Sequence, residues 1–366
     1  MSALKDKPTS FGWKRWLWLG AQIVLMLCCA GAALGLYVVS HTLDTGAAER
    51  FRGESDTRFA QIAAFMPVGG GKSEEDILAF RETLENKFIE QALEAPENGS
   101  LYVDAYSGRS DVTITSDHGS AAVTAFGVGG DFFYFHPLTL RSGAYIAERD
   151  LMDDLVVLDE VLAWRLFGGT ELAGLTVQIG GVPFVVSGVV AMEDDFASSA
   201  AYGGEGCLFV SFSAMKKLDE DAVIDCYEIV LPDPITGYGR SVVEETFDRQ
   251  SCDVVENSSR YTIGSLLQVA KDFGHRSMRA SGVIYPYWEN ALRLTEDYAA
   301  LLLVLAVLFA LAPAVSAVAL AIRSGCRFWR FAKEKAAEKV ETAVERRRER
   351  QYGEFLEEKG ETTWHS

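Results

Sequence analysis

The residues that most resemble a chemical motif are Gly71-Lys72-Ser73, which match the end of a phosphate-binding loop. In such a loop, backbone N–H groups and the lysine hold nucleotide phosphates, and another glycine lies five residues earlier. Met66 occupies that position, and the sequence before it does not read as a strand. The pattern therefore does not predict a nucleotide site, and we interpret the glycines at 69–71 as a hinge between two helices.

The other reactive side chains form no motif for metal binding or nucleophilic catalysis. Neither H-E-x-x-H nor G-x-S-x-G occurs, and the acidic runs at 150–154 and 193–195 lack the ligand order of a calcium loop. The sequence therefore predicts no catalytic, cofactor-binding or metal-binding residue, no cofactor, and a protein that is not an enzyme. The histidines are scattered, without metal-ligand spacing: His41, His118, His136, His275 and His365.

Six cysteines in 366 residues are too few for a disulfide scaffold. Cys207, Cys226 and Cys252 lie in the segment expected outside the membrane, where disulfides persist. Because three is an odd number, at most one bridge can form among them. We predict a Cys226–Cys252 bridge between neighbouring strands.

Composition and charge exclude several classes of protein. The chain has 49% hydrophobic and 23% charged residues, so it is neither disordered as a whole nor fibrous. Its net charge of -18 argues against nucleic acid as a partner. Its length corresponds to about two domains.

Two apolar runs are long enough to cross a lipid bilayer. Residues 17–39 and 298–322 contain no charged residue, and a membrane helix needs about 20 apolar residues. The first run is longer than the apolar core of a signal peptide, which favours an uncleaved anchor. We therefore predict two transmembrane helices with the lipid bilayer around them.

Basic residues at the span ends predict the orientation. Lys14 and Arg15 precede the first span, and Arg323, Arg327 and Arg330 follow the second. Since basic loops stay in the cytoplasm, residues 1–16 and 323–366 should be cytoplasmic in a cell membrane protein, with residues 40–297 outside. The outer segment holds 19 basic and 42 acidic residues, as expected for a solvated acidic surface.

The outer segment begins with a helical pattern and continues as mixed helix and strand. Apolar spacing within 42–65 predicts a helix leaving the membrane, and Ser73 reads as the N-cap of a second helix ending near Ala95. A strand entering a helix is predicted over Leu155–Phe167, and a hairpin over Leu175–Val190. Further strands are predicted at Leu101–Tyr106, Asp111–Thr115, Ala121–Val128, Cys207–Phe212, Tyr227–Leu231 and Asp253–Glu256, and short helices at Ser213–Leu218 and Ser241–Arg249.

Residues 330–358 are dense in Ala, Glu, Lys and Arg, which predicts a charged helix that continues the second span. Ala336, Val340, Ala343 and Val344 share one side of it. A partner contact and a merely solvated helix both remain open for this strip.

An ordered set of segments lies between residues 127 and 190: Gly127–Phe133, Leu140–Ala144, Val156–Glu160, Ala163–Gly168, Leu172–Gly174 and the hairpin Val177–Val190. In physical terms, this order describes a small strand–helix–hairpin unit. It resembles the extracytoplasmic core domain of MacB-type ABC transporter permeases, of the FtsX-like superfamily. Tyr285–Asn290, just before the second span, is similar to a segment of some such permeases.

The resemblance implies an α+β outer domain flanked by two membrane helices. It further implies a base from about 41–118 and 204–290, with an inserted smaller part at about 119–203. Such permeases usually have three spans after this domain, whereas one apolar run follows it here. We therefore expect a reduced permease that does not transport alone.

The sequence supports a non-enzymatic subunit of a MacB/FtsX-like ABC transport or mechanotransmission complex, coupled to a separate ATPase subunit and to a partner permease or a second copy. The alternative is a stand-alone, membrane-anchored sensor or ligand-binding module that signals through its tail. A membrane-anchored enzyme is a third class, and no motif in the sequence supports it.

Overall fold

Long apolar runs of this chain form helices, and its short β-branched segments form strands. The computed structural model describes residues 11–91, 93, 99–247, 252–273, 276–279 and 281–361. The predicted helix ends at Ala95 and Arg249, together with His275 and His365, lie outside this part. The helices are α1 Phe11–Ser40, α2 Ala47–Arg52, α3 Glu74–Glu90, α4 Phe132–Phe135, α5 Glu160–Phe167, α6 Phe196–Tyr202, α7 Phe212–Leu218, α8 Tyr238–Phe247, α9 Ile263–Val269 and α10 Tyr287–Glu361.

The strands form one mixed sheet, in the order β10-β1-β9-β2-β3-β8-β5-β7-β4, with β6 paired to β2 and β7. β3 runs parallel to β8, and β5 runs parallel to β7, while the other pairs are antiparallel. The strands are β1 Phe59–Phe65, β2 Val103–Ser116, β3 Gly119–Gly130, β4 Thr139–Gly143, β5 Leu155–Asp159, β6 Thr176–Ile179, β7 Val182–Ala191, β8 Cys207–Ser211, β9 Cys226–Pro232 and β10 Asp253–Glu256.

The described chain divides into two compact units. One comprises Leu34–Val304 and contains the whole sheet. The other comprises the described residues of Met1–Ala33 and Leu305–Ser366, which form helix. α1 and α10 both contain stretches long and apolar enough to cross a membrane. α10 is a single helix of 75 residues, so the charged tail continues the second apolar run, as predicted.

Strand β1 corrects the prediction of a helix over residues 42–65. Phe59 and Phe65 enter one core cluster while the intervening Ile62 enters another, so both faces of β1 are covered. Every residue of β1 is buried, including Gln61. A strand that is buried on both faces loses the alternation of apolar and polar residues that identifies strands in a sequence.

Strand β2 joins two segments that we predicted as separate strands. Gly108 pairs with Gly127 and Arg109 pairs with Phe126, so the ladder continues through residues 107–110, between the two predicted strands. A Cβ atom at Gly108 would lie 2.2 Å from the carbonyl oxygen of Val223. The glycine therefore admits a neighbouring loop rather than ending the strand.

The glycine-rich segment after β1 is an anchored connection and not a hinge between helices. Lys72 exchanges backbone hydrogen bonds of 2.9 and 2.8 Å with Ile224, and Met66 N donates to Asp225 O at 2.9 Å. A strand thus precedes Gly71-Lys72-Ser73, contrary to our expectation. Ser73 and Asp76 form the capping box of α3, so the Ser73 hydroxyl serves the helix end.

The remaining predicted elements are confirmed. Gly180 and Gly181 form the β6–β7 turn with φ angles of 57° and 83°, as a tight hairpin requires. Gly168 ends α5 in the left-handed conformation. Strands β8 to β10 and helices α7 and α8 lie where expected, whereas α4, β4, α6 and α9 were not predicted as elements.

The junction between β5 and α5 carries a pH-dependent contribution to stability. Asp159 is fully buried, and its Oδ1 accepts a hydrogen bond of 2.6 Å from Leu162 N as the cap of α5. Burial raises the pKa of Asp159 to about 6, although backbone hydrogen bonds act in the opposite direction. The stability that protonation of Asp159 adds is therefore present at acid pH and is lost as the pH rises through about 6.

We therefore expect Asp159→Asn to stabilise the protein at pH 8 by about 1–3 kcal/mol, since asparagine keeps the cap without a buried charge. The advantage should shrink at pH 5. Thermal unfolding of the full chain at both pH values measures this. Ser211→Ala is the control, because Ser211 caps α7 without titrating and its loss of about 1 kcal/mol should not depend on pH. An equal effect of Asp159→Asn at both pH values would contradict the assignment.

Candidate functional site: the root of the long helix

The first turns of α10 are buried in the outer unit, and the last of these turns overlap the start of the apolar run at 298–322. We call residues 285–304 the root of α10. Three successive layers along the root contact different parts of the unit: an aromatic layer, an ionic layer and an apolar layer. Together they hold the root within the unit that contains the sheet.

The aromatic layer packs the beginning of α10 onto the sheet. Tyr285, Tyr287 and Trp288 are 2%, 7% and 6% exposed. The Trp288 ring lies 5.3 Å from that of Phe126 on β3 and 5.4 Å from that of Phe132 on α4. Burial of each large aromatic side chain contributes about 1.5–3 kcal/mol, so this layer fixes the start of the helix firmly.

The ionic layer lies one turn further along the helix and contains ion pairs that are almost fully buried. Glu289 accepts hydrogen bonds from Arg260 and, at 2.6 Å, from Arg293. The other head-group nitrogens of Arg260 donate to Glu296 and Asn257, both at 2.9 Å. Arg260, Glu289, Arg293 and Glu296 are each at most 4% exposed. The four side chains therefore hold one another, because water does not solvate them.

Three elements outside α10 supply partners to this layer. Asp253 on β10 accepts from Arg293 at 2.8 Å and from the Tyr285 hydroxyl at 2.6 Å. Arg276, in the connection after α9, pairs with Glu296 at 2.6 Å. Arg260 follows the 3-10 turn at residues 257–259. The layer thus ties the helix to an edge strand and to two connecting segments.

Mutual charge compensation sets the protonation of the layer. Burial raises the pKa of Asp253, but the Tyr285 hydrogen bond and the Arg293 charge outweigh it, and the net shift is downward. Burial lowers the pKa of Arg260, yet Glu289 and Glu296 raise it above its usual value. Asp253 and Arg260 are therefore charged at neutral pH, and removing a partner of either leaves an uncompensated charge.

The apolar layer joins the root to the end of α1. Leu302 lies against Gly35, where an added Cβ would be only 3.4 Å from the leucine side chain. Small residues allow such close helix approach. The end of α1 and the root of α10 are therefore in contact at this layer. The residues of this cluster are Leu36, Val39, Tyr261, Leu266, Val269, Ala270, Ala299, Ala300 and Leu303.

Of the described histidines, His136 packs against the root. His136 lies 4.6 Å from the Trp288 ring, and its Nε2 lies 2.5 Å from Glu228 Oε2. In the part of the chain that the structure describes, no three His, Cys, Asp or Glu side chains are placed to hold a metal ion. That the chain has no catalytic, cofactor or metal residue stays a prediction.

The predicted Cys226–Cys252 bridge is wrong. Cys226 on β9 pairs with Phe65 on β1, and Phe65 pairs on its other side with Asp253 of β10. A whole strand therefore separates the two cysteines. Cys207 and Cys226 are buried thiols, and burial raises the pKa of each well above its usual value, which keeps both unreactive.

The acidic runs have local structural roles. Asp195 caps α6 through Ala197 N and Ser198 N, and Asp153 accepts from Lys217 at 2.8 Å. These contacts account for both side chains without a bound cation.

The ionic layer was missed in the sequence, although a signal was present. Glu289, Arg293 and Glu296 recur at spacings of four and three residues immediately before an apolar run, which places them on one face of a helix. Their partners Arg260 and Arg276 are distant in sequence, so the pattern alone does not reveal that the face is buried.

A family model for the MacB-like periplasmic core domain matches residues 26–235, more than half of the chain. The chain belongs to the MacB-like periplasmic core domain family. It is a membrane-associated ABC transporter permease homologue whose α+β extracytoplasmic domain lies between two candidate apolar helices. This family is a transporter permease domain and not a classical enzyme family.

Two MacB proteins and one other transporter domain are similar to parts of this chain. A macrolide export ATP-binding/permease protein MacB from Chromobacterium violaceum is 33% identical over 100 residues, which cover 26% of this chain and 16% of that protein. The periplasmic region of MacB from Actinobacillus actinomycetemcomitans is 17% identical, with a TM-score of 0.39 over 58% of this chain and 94% of that one. The extracellular domain of the noncanonic ABC-type transporter YknZ from Gram-positive bacteria is 16% identical, with a TM-score of 0.38 over 53% and 99%.

Glu289 is the residue whose loss should most weaken the ionic layer. Glu289→Gln keeps the side-chain shape but leaves Arg260 and Arg293 without their shared carboxylate. We expect a loss of about 3–5 kcal/mol, seen as a lower midpoint of thermal unfolding in the full chain.

The matched control is Glu205→Gln, which removes the exposed pair with Arg165 at 3.4 Å. That substitution should cost less than about 1 kcal/mol. Equal effects of the two substitutions would show that the ionic layer does not fix the root.

Proposed function

We propose that this chain is a non-enzymatic membrane subunit of a MacB/FtsX-like ABC transport or mechanotransmission complex, coupled to a separate ATPase subunit. The observation that carries the proposal is the buried root of α10. One continuous helix joins the aromatic and ionic layers of the outer unit to the apolar run at 298–322. A helix built in this way suits the transfer of movement rather than chemistry.

The energetics of the root favour movement of helix and outer unit together. Breaking a buried ion pair costs about 3–5 kcal/mol, and the root contains several, around Arg260 and Arg293. A force on the helix should therefore move β10 and β3 together with the helix, because moving them costs less than breaking their contacts with the root. Rigid-body displacement of this kind is an established way of switching between states.

The charge distribution supports an orientation with residues 1–16 and 323–366 in the cytoplasm and residues 40–297 outside. Basic residues are enriched beside both apolar runs, and the outer segment is strongly acidic. In this arrangement the tail of α10 is the part that an ATPase subunit can reach.

Within the outer segment we propose a base from about 41–118 and 204–290 and an inserted part from about 119–203. The two parts are joined rigidly, because β2 and β3 pair from Ala105–Gly130 to Ser116–Gly119. Displacement of the base would therefore carry the insert with it.

We propose that a partner permease or a second copy of this chain adds membrane spans to the two candidate spans found among the described residues. The Chromobacterium relative is a macrolide export protein. For this chain we propose membership of such a complex rather than that substrate.

The proposal predicts that the full-length chain, extracted from its native membrane in mild detergent, brings an ABC-type ATPase with it. Addition of ATP and vanadate to that complex should then change hydrogen exchange at the root. We expect the hydrogen-exchange rates of the backbone amides of 253–260 and 287–304 to change by roughly twofold or more, because these rates report local opening. Mass spectrometry identifies the partner and measures the exchange.

The control is the same complex with an ATPase variant that does not bind nucleotide, in which the root should not respond. An intact chain that brings neither an ATPase nor a permease would contradict the proposal. It would favour the alternative of a stand-alone outer sensor or ligand-binding module.

A further inference from the structure

The turns of α10 that follow the apolar run combine positive charge with exposed aromatic rings. Residues 323–335, which we call the basic–aromatic collar, hold five basic residues and one acidic residue. The next stretch, residues 336–350, holds five basic and four acidic residues. The excess positive charge of the described tail is therefore concentrated beside the candidate membrane span.

Three arginines of the collar form a stripe along one side of the helix. Arg323, Arg327 and Arg330 follow each other at spacings of four and three residues, which places them within an arc of about 60° and over about 10 Å of helix length. All three are exposed, and no described carboxylate forms a salt bridge with them. Guanidinium groups in this state suit phosphate, which they bind with two parallel hydrogen bonds.

The stripe ends abruptly in acidic residues. Glu334 and Glu338 continue the same side of the helix at spacings of four residues beyond Arg330. Anionic groups would attract the arginines and repel these glutamates. The change from positive to negative side chains after Arg330 therefore marks a level on the helix. A negatively charged surface that binds the arginines should end at this level.

Aromatic side chains occupy the rest of the helix circumference at the level of the arginines. Phe328, Trp329 and Phe331 are 72%, 74% and 55% exposed. A tryptophan ring beside an apolar span, such as that of Trp329, is typical of the interface between hydrocarbon and headgroups. An acidic protein surface would explain the arginines but not rings on the other sides of the helix.

The other apolar helix begins with the same chemistry. Trp13 and Trp16 are 71% and 76% exposed, and Lys14 and Arg15 lie between them. This independent repetition of tryptophan with basic residues at a span end supports a lipid headgroup layer as the common environment.

We infer that the basic–aromatic collar is a binding site for the phosphate groups of anionic phospholipids, with Arg323, Arg327 and Arg330 as its main ligands. The site would fix the depth of α10 in the bilayer. Under the proposed function, a helix held at one depth passes a sideways force to its root instead of sliding along its axis.

The test measures lipid selectivity of the full chain in phosphatidylcholine vesicles. Trace spin-labelled phosphatidylglycerol or phosphatidylcholine is added, and electron paramagnetic resonance gives the fraction of each lipid that the protein restricts. We expect phosphatidylglycerol to associate roughly threefold more strongly, since a basic residue near a membrane surface favours anionic lipid. The preference should fall by at least half in Arg323→Gln/Arg327→Gln/Arg330→Gln.

The matched control removes the same charge farther along the helix. Arg346, Arg347 and Arg348 begin about 35 Å beyond Arg323, well past the screening length of about 10 Å at 0.1 M salt. Their replacement by glutamine should leave the preference unchanged. Equal association of both lipids, or equal losses in the two triple variants, would overturn the inference. Because no ATPase is present, this result is independent of the proposed complex.

Discussion

Separating the buried charged side chains at the root of α10 from their partners would cost the protein several kcal/mol of stability. This constraint fixes the position of the helix in the outer unit. Glu289 on α10 pairs with both Arg260 and Arg293, and Asp253 on β10 pairs with Arg293. The helix therefore cannot rotate or slide against the outer unit while these pairs are intact. An apolar interface alone would allow small sliding, because dispersion contacts have little directional preference. The hydrogen-bonded ion pairs of the ionic layer are directional, so they fix the position that apolar contacts leave free.

The sheet distributes this constraint across the outer unit. Asp253 lies on the edge strand β10, whereas Phe126 lies on β3, three strands further along from β1. Both contact the root, so the helix is held from two distant parts of one sheet. The apolar layer then brings the end of α1 to the same place. These three layers are the contacts on which the proposed transfer of movement depends.

The sequence predicts elements that are defined locally and fails where the environment decides. The α3 capping box, the β6–β7 hairpin and both apolar helices follow from residues close together in the chain. β1 was read as helix because both of its faces are buried. The predicted disulfide failed because pairing order is non-local and β1 separates the cysteines. The ionic layer depends on Arg260 and Glu289, which are 29 positions apart, so one sequence shows its helical face without its partners.

If the buried ion pairs fix the root, it moves as one body with the outer unit. Genetically encoded spin labels at Leu78 on α3 and Leu301 on α10, both exposed, allow the distance between them to be measured by double electron–electron resonance in lipid nanodiscs. We expect one narrow distance distribution in the unmodified chain and a clearly broader one with Arg260→Gln. A broad distribution in the unmodified chain, or one that Arg260→Gln leaves unchanged, would show that the ion pairs do not hold the root in place.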